Sequence, residues 1–133
     1  HCFESADCCE QNNLGSRDCY RSHTVKASNQ IANSLGLPDE KWEIAYQSRI
    51  GPGWLKPFTD KRLAELPKEG NKSIAVVCPS FISDCLETLE EIDIRGRKTF
   101  SDAGGEKMTY IPCLNETDQT VNLIENLVKK IIK

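Results

Sequence analysis

Between Gly70 and Pro79 the chain carries an unbroken apolar run, Ser73-Ile74-Ala75-Val76-Val77-Cys78. A short run that never alternates with polar residues suits a strand covered on both faces, as at the centre of a parallel sheet. Such a strand cannot be joined to its neighbour by a hairpin, so the chain must cross over, and the flanking sequence offers helices for this. Upstream, Val25, Ile31, Ala32 and Leu35 recur at near-helical spacing until Gly36 and Leu37-Pro38 stop them. Residues 42–47 have short β character, and Ile50-Gly51-Pro52-Gly53 then breaks regular structure. Thr59 can cap a helix over residues 59–69 with Leu63 and Leu66 inward. Downstream the pattern predicts a helix over 84–100, a strand over 108–114 and a final amphipathic helix carrying Ile124, Leu127, Val128 and Ile131. Helices alternating with strands predict an α/β fold, a three-layer α/β/α arrangement on a parallel sheet. The 133 residues suffice for one such domain but not for two lobes with a deep cleft between them.

Charge narrows the partners. The 17 basic and 20 acidic residues give a formal charge of −3, and neither sign gathers into a run, which disfavours nucleic acid. No apolar stretch approaches the roughly 18 residues of a membrane span. The first residues are cysteine-rich and polar and do not resemble a leader. The expectation is a soluble, cytoplasmic protein, with room for a peripheral membrane contact made by sequence outside this chain and with its oligomeric state open.

Seven cysteines spread through a short chain would suggest a disulfide scaffold. Instead Cys2, Cys8, Cys9 and Cys19 fall within a segment, residues 1–19, that has no periodicity and no core of its own. Cys78, Cys85 and Cys113 sit singly in apolar or helical surroundings that suit reduced thiols. Four clustered cysteines and an odd total favour a metal site in a reducing compartment. Zinc would ordinarily want paired cysteines two to four residues apart, and disulfides would require adjacent Cys8 and Cys9 to find separate partners.

A second cluster is acidic. At 100° per residue, Asp84, Glu87 and Glu91 lie within about 60° of one another on a helix, with Leu86, Leu89 and Ile92 on the other side. Carboxylates at a helix start beyond a parallel strand occupy the place where open α/β sheets bind ligands. The plainer alternative is a capping box, with Asp84 as N-cap, Glu87 at the third helical position and a solvated face beyond.

Two blocks carry a family resemblance. The segment Tyr46-Gln47-Ser48-Arg49-Ile50-Gly51-Pro52-Gly53-Trp54-Leu55-Lys56-Pro57-Phe58-Thr59-Asp60 resembles the ferrochelatase loop that follows a strand and lines the porphyrin pocket. The segment Cys78-Pro79-Ser80-Phe81-Ile82-Ser83-Asp84-Cys85-Leu86-Glu87-Thr88-Leu89-Glu90-Glu91-Ile92 resembles the strand-to-helix segment bearing the same family's metal-site carboxylates. The likeness continues through Ala103-Gly104-Gly105-Glu106 and Tyr110-Ile111-Pro112-Cys113-Leu114-Asn115 and covers essentially everything from Tyr20 onward. Cys2, Cys8, Cys9 and Cys19, followed by Tyr20-Arg21, resemble the internal cysteine insert of bacterial members that bind a [2Fe–2S] cluster.

The resemblance implies residues 1–19 as a cluster-binding segment and residues 20–133 as the C-terminal lobe of a two-lobed chelatase, inserting ferrous iron into protoporphyrin or coproporphyrin. It implies catalytic carboxylates at Glu87 and Glu91, with Glu87 also receiving the incoming iron. Ser48, Trp54, Phe81 and Cys85 would contact the porphyrin, a flat apolar macrocycle that wants aromatic walls and few polar groups. Four thiolates from the first four cysteines would satisfy the two irons of the cluster. Two departures stand out: Cys85 replaces a histidine found in many relatives, and a single Gly53 separates Pro52 from Trp54 where the family usually has two residues. Neither His1 nor His23 has the context of the family's catalytic histidine. The implied partner is therefore a missing N-terminal half, without which this chain would not turn over. The alternative of another class is a stand-alone iron–sulfur or zinc-binding module without catalysis.

Overall fold

A computed structural model describes residues 19–49, 51 and 53–132. The chain divides into two units, His1–Arg62 and Leu63–Lys133.

In the first unit, α1 (Tyr20–Ser34) begins at Cys19, whose Sγ accepts the Ser22 N–H at 3.4 Å. It ends as its sequence predicts. Gly36 adopts φ +65°, its N–H donates to Asn33 and the Leu37 N–H donates back to Ala32, the paired closure that a left-handed glycine permits. Residues 42–47 do not form the expected strand. They make one parallel bridge, Tyr46 to Phe58, in which the Tyr46 N–H donates to Pro57 and the Thr59 N–H donates to Tyr46, both at 2.9 Å. The bridge closes the glycine-rich loop at its base, while Arg62 holds Glu43 through two bonds of 2.9 and 3.0 Å. Helix α2 (Thr59–Glu65) stops a turn earlier than expected, because Pro67 cannot donate to a helix interior and the chain turns to Gly70 instead.

The second unit is a parallel β–helix–β crossover. Strand β1 (Ser73–Val77) pairs with β2 (Lys107–Ile111) in the register Ser73 to Lys107 through Val77 to Ile111. Between them lie a wide π-helical stretch, Glu87–Gly96, and α3 (Arg97–Asp102). Leu63, Ile92, Phe100 and Met108 form the core, with Leu66, Ile74, Val76 and Tyr110 against it. The α/β class is as the sequence predicts. The expectation of a strand buried on both faces is not met among the described residues: Ile74 and Val76 are half-buried, but Ala75 and Val77 are exposed. Strand β2 is shorter than expected because Pro112, which has no N–H, follows Ile111.

The wide stretch corrects the expected helix face. Where bonds reach five residues back, a three-residue step falls well short of a turn, so Leu86 and Leu89 no longer share a side with Ile92. Leu86 is 78% exposed, and the inward row is Thr88, Ile92 and Gly96. Helix α4 (Asp118–Ile131) is capped by Thr117, whose hydroxyl accepts the Thr120 N–H, and Lys129 and Lys130 complement its C-terminal end. Its apolar stripe of Ile124, Leu127, Val128 and Ile131 forms as expected but remains exposed among the described residues.

The turn into β2 is set by Gly105. A Cβ there would lie 2.2 Å from the ring of Phe100, which is 1% exposed and cannot swing aside. Gly105→Ala is therefore expected to destabilise the chain by about 1–3 kcal/mol through overpacking. The urea midpoint measures this against Ser101→Ala, an exposed helical control expected to change little.

Candidate metal-insertion site

Strand β1 ends in a tight turn in which the Phe81 N–H donates to Cys78 at 3.0 Å, with Pro79 at the position that favours its fixed φ. The turn delivers residues 82–85 to the start of the wide stretch, and there the geometry is dominated by Asp84. Its Oδ1 receives the Tyr110 hydroxyl at 2.5 Å and the Cys113 N–H at 3.3 Å, and its Oδ2 receives the Asn115 amide at 2.8 Å. The Asp84 N–H donates to Asn115 Oδ1 at 2.8 Å, so one side chain grips both the backbone and the carboxylate. Thr88, fully buried, accepts the Cys85 N–H at 3.0 Å and lies 3.1 Å from Asp84 Oδ1. With Asn115 and Tyr110 donating to it, the Asp84 carboxyl is held well below the usual carboxylate range. Burial and the Asp84 contact push the Tyr110 hydroxyl up, so it stays a proton donor.

Asp84 is thus neither the N-cap of a capping box nor a member of a row of equivalent acids. Its carboxylate is already engaged by Tyr110, Cys113 and Asn115 and is held ionised, so its bonds serve the fold. Glu87 differs. It is exposed, and its carboxyl is held below its ordinary value first by a hydrogen bond from the Cys85 thiol and then by its own backbone N–H. Glu91 is half-buried, one helical step on, with Arg95 3.6 Å from Oε1; the same guanidinium bonds Glu90 at 2.6 Å. The structure therefore brings Cys85 and Glu87 into contact and keeps Glu87 and Glu91 on one helical element.

Ser48 and Trp54 lie in the first unit. The Trp54 indole N–H donates to the Gln47 carbonyl at 2.8 Å, drawing the loop closed, and Ser48 takes φ +55°, a left-handed conformation uncommon for a residue with a Cβ. Arg49 stacks over Phe58 at 4.8 Å and pairs with Asp60 at 3.7 Å, anchoring the same loop. Gly53, at φ +85°, supplies the turn before Trp54.

Cys19, Cys78, Cys85 and Cys113 are thiols, not disulfide halves. Partial burial pushes the Cys78 thiol up to about 11 and raises Cys113 as well, as suits thiols that stay protonated. Among the described residues no group of three or more His, Cys, Asp or Glu is placed to hold a metal. Cys2, Cys8 and Cys9 lie outside the described residues. Nor, among the described residues, is any helix long and apolar enough to cross a membrane.

Residues 9–131 match the family model for Ferrochelatase. The chain belongs to the ferrochelatase family. It is 42% identical over 132 residues to a ferrochelatase of Pseudomonas fluorescens (strain Pf0-1), and 45% identical over 131 residues to that of Bdellovibrio bacteriovorus. Each alignment covers 98% of this chain and 39% of the relative. A coproporphyrin III ferrochelatase of Streptococcus mutans is 47% identical over 114 residues, covering 85% of this chain and 36% of that protein. The chain thus spans about two fifths of the length of the curated ferrochelatases it matches.

The sequence pointed to the carboxylates but missed what holds them. Tyr110, Cys113 and Asn115 lie in a block quoted above for likeness alone, and nothing in its pattern joins it to Asp84 across 26 to 31 residues. The available signal was an asparagine between an apolar strand and a capped helix, a residue type that tolerates left-handed backbone and offers both a donor and an acceptor.

An acid titration tests the assignment of Asp84. A depressed folded pKa contributes stability that is present above the unfolded value, roughly 3.9, and is lost as pH falls below it toward the folded one. Asp84→Asn is therefore expected to lower stability at neutral pH and to flatten the loss of stability below about pH 4. Urea midpoints across the acid range check this, and an unchanged slope would remove Asp84 from the network.

Proposed function

We propose that this chain is part of a haem-forming lyase that inserts ferrous iron into protoporphyrin or coproporphyrin, and that Glu87 is its working carboxylate. The observation that carries the reading is the division of labour on the wide helical stretch. Asp84 is consumed by structure, whereas Glu87, two residues on from Cys85 and hydrogen-bonded by its thiol, is an exposed and ionised oxygen donor. Wide helical turns recur at functional sites, where they re-aim side chains. Metallation exchanges two pyrrole protons for one divalent ion. An ionised carboxylate can serve as a hard ligand guiding Fe(II) and as a proton acceptor. Glu91 follows as the next acid on the same element. Ser48, Trp54, Phe81 and Cys85 are each assigned to porphyrin contact on the strength of the family motifs. Relatives named for ferrochelatase and for coproporphyrin III ferrochelatase keep both porphyrins within the reading. The remainder of a full-length relative would supply the catalytic histidine and the opposing wall.

The cysteine segment, residues 1–19, is assigned a [2Fe–2S] cluster held by Cys2, Cys8, Cys9 and Cys19, with residues 20–133 as the chelatase lobe. Cys19 supports this: it is held at the N-terminus of α1, its sulfur accepting the Ser22 N–H at 3.4 Å, which fixes one of the four cysteines at the junction of the segment and the helix. A bound cluster would link Cys2, Cys8 and Cys9 to Cys19 at the start of that helix. A cytoplasmic, reducing compartment is consistent with four cysteines kept as thiolates.

Two measurements test the reading. Glu87→Gln in the full-length protein is expected to lower metal insertion by roughly a hundredfold or more while leaving fold and cluster intact, since it removes one acceptor at constant volume. Near-normal turnover would return Glu87 to a surface role. Anaerobically purified chain is expected to carry about two irons and two sulfides with visible absorption, lost in Cys19→Ser. Zinc in their place, or disulfides among these cysteines, would contradict the cluster.

A further inference from the structure

The Asp84 network does more than satisfy one acid. Asn115 sits at φ +50°, a left-handed conformation that asparagine and aspartate adopt more readily than other residues with side chains. Its backbone N–H donates to Ile82 at 2.9 Å, its amide nitrogen donates to the Cys113 carbonyl at 3.1 Å and to Asp84 Oδ2 at 2.8 Å, and its amide oxygen accepts the Asp84 N–H at 2.8 Å. One residue of the β2–α4 connection thereby fixes residues 82–84 by main chain and side chain together. Immediately beyond lies the Thr88 bond to the Cys85 N–H, and beyond that the Cys85 contact to Glu87. Asn115 is hydrogen-bonded to Asp84 and Ile82, not to the two residues whose orientation it would set.

We infer that Asn115 is a positioning residue for metal insertion: through its two-point clasp on Asp84 it fixes where the wide helical stretch begins, and so where Cys85 and Glu87 point. This inference rests on the reading of Glu87 as the working carboxylate and deepens it. Its chemical content is reciprocity. The clasp needs a donor and an acceptor on residue 115 and a carboxylate plus an N–H on residue 84. The charge can sit on either residue provided one carboxylate faces one amide. Asn115→Asp alone sets two carboxylates against each other. Asp84→Asn alone leaves two amides and weakens the Tyr110 and Asn115 bonds. The double exchange restores one carboxylate facing one amide, at the loss of the bond to the Cys113 carbonyl.

The test uses the full-length protein, with kcat and KM for porphyrin and for zinc or ferrous ion measured for wild type, Glu87→Gln, Asn115→Asp, Asp84→Asn and the double exchange. Asn115→Asp is expected to lower kcat by roughly ten- to a hundredfold, the scale of misplacing a catalytic group by about an ångström, with KM for porphyrin changed by no more than about threefold. The double exchange is expected to recover much of the lost kcat. A merely structural role would track the unfolding midpoint, not show this split between kcat and KM. Wild-type kcat in Asn115→Asp, or a folded double exchange no better than the weaker single variant, overturns the inference. If Asn115→Asp does not fold, the double exchange decides by the same criterion. Full activity in Glu87→Gln overturns the underlying reading and this inference with it. An inactive Glu87→Gln beside a fully active Asn115→Asp overturns the inference alone.

Discussion

The Asp84 carboxylate gathers donors from three places in the second unit: Tyr110 on β2, the Cys113 backbone just beyond it, and the Asn115 side chain ahead of α4. Hydrogen bonds to an ionised acceptor are stronger than those between neutral groups, and a carboxylate so surrounded stays charged. Everything that follows along the chain depends on that anchor. The wide helical stretch starts from a fixed point, Thr88 closes its first turn, and its inward row of Thr88, Ile92 and Gly96 reaches the core of Leu63, Phe100 and Met108. Gly96 takes part because it has no side chain: a Cβ there would come within 3.0 Å of Leu63 Cδ1. The crossover between two parallel strands is thus held at one end by charge-assisted hydrogen bonds and along its length by close packing.

This arrangement separates residues that look alike in sequence. Asp84, Glu87 and Glu91 are three acids on one short segment, yet the first is gripped by Tyr110, Cys113 and Asn115 while the second is exposed. The same separation applies to the cysteines. Cys78 and Cys113 are raised by burial, Cys85 donates to Glu87, and Cys19 caps α1. Residue type alone does not distinguish these roles; the number and kind of partners do.

Much of the fold was legible because it depends on local chemistry. The apolar run 73–78 marked β1, Gly36 marked the end of α1, and the stripe from Ile124 to Ile131 marked α4. What could not be read depends on contacts between distant segments or on the pitch of a helix. A 100° period presupposes an α-helix and so predicts an α-helical face over the wide stretch with Leu86 and Leu89 inward, whereas Leu86 is 78% exposed. The β-favouring residues of 42–47 predict a strand, but a strand needs a partner, and among the described residues only Tyr46 of this run finds one. Nothing in the pattern around Gly105 marks its necessity, which comes from the Phe100 ring that lies against it.

Membership in the ferrochelatase family, together with a length about two fifths that of the curated relatives, frames the central proposal, that this chain would carry one part of a metal-insertion site, with Glu87 on it, and the rest of a full-length protein the other part. Confining a macrocycle so that its nitrogens meet the metal requires groups on more than one side of it. The most direct measurement is metal insertion into protoporphyrin and coproporphyrin by the purified chain alone, beside a protein-free control and a full-length relative. The chain is expected to match the protein-free control while the full-length relative turns over. Turnover by the chain alone at a rate comparable with the full-length relative would contradict it.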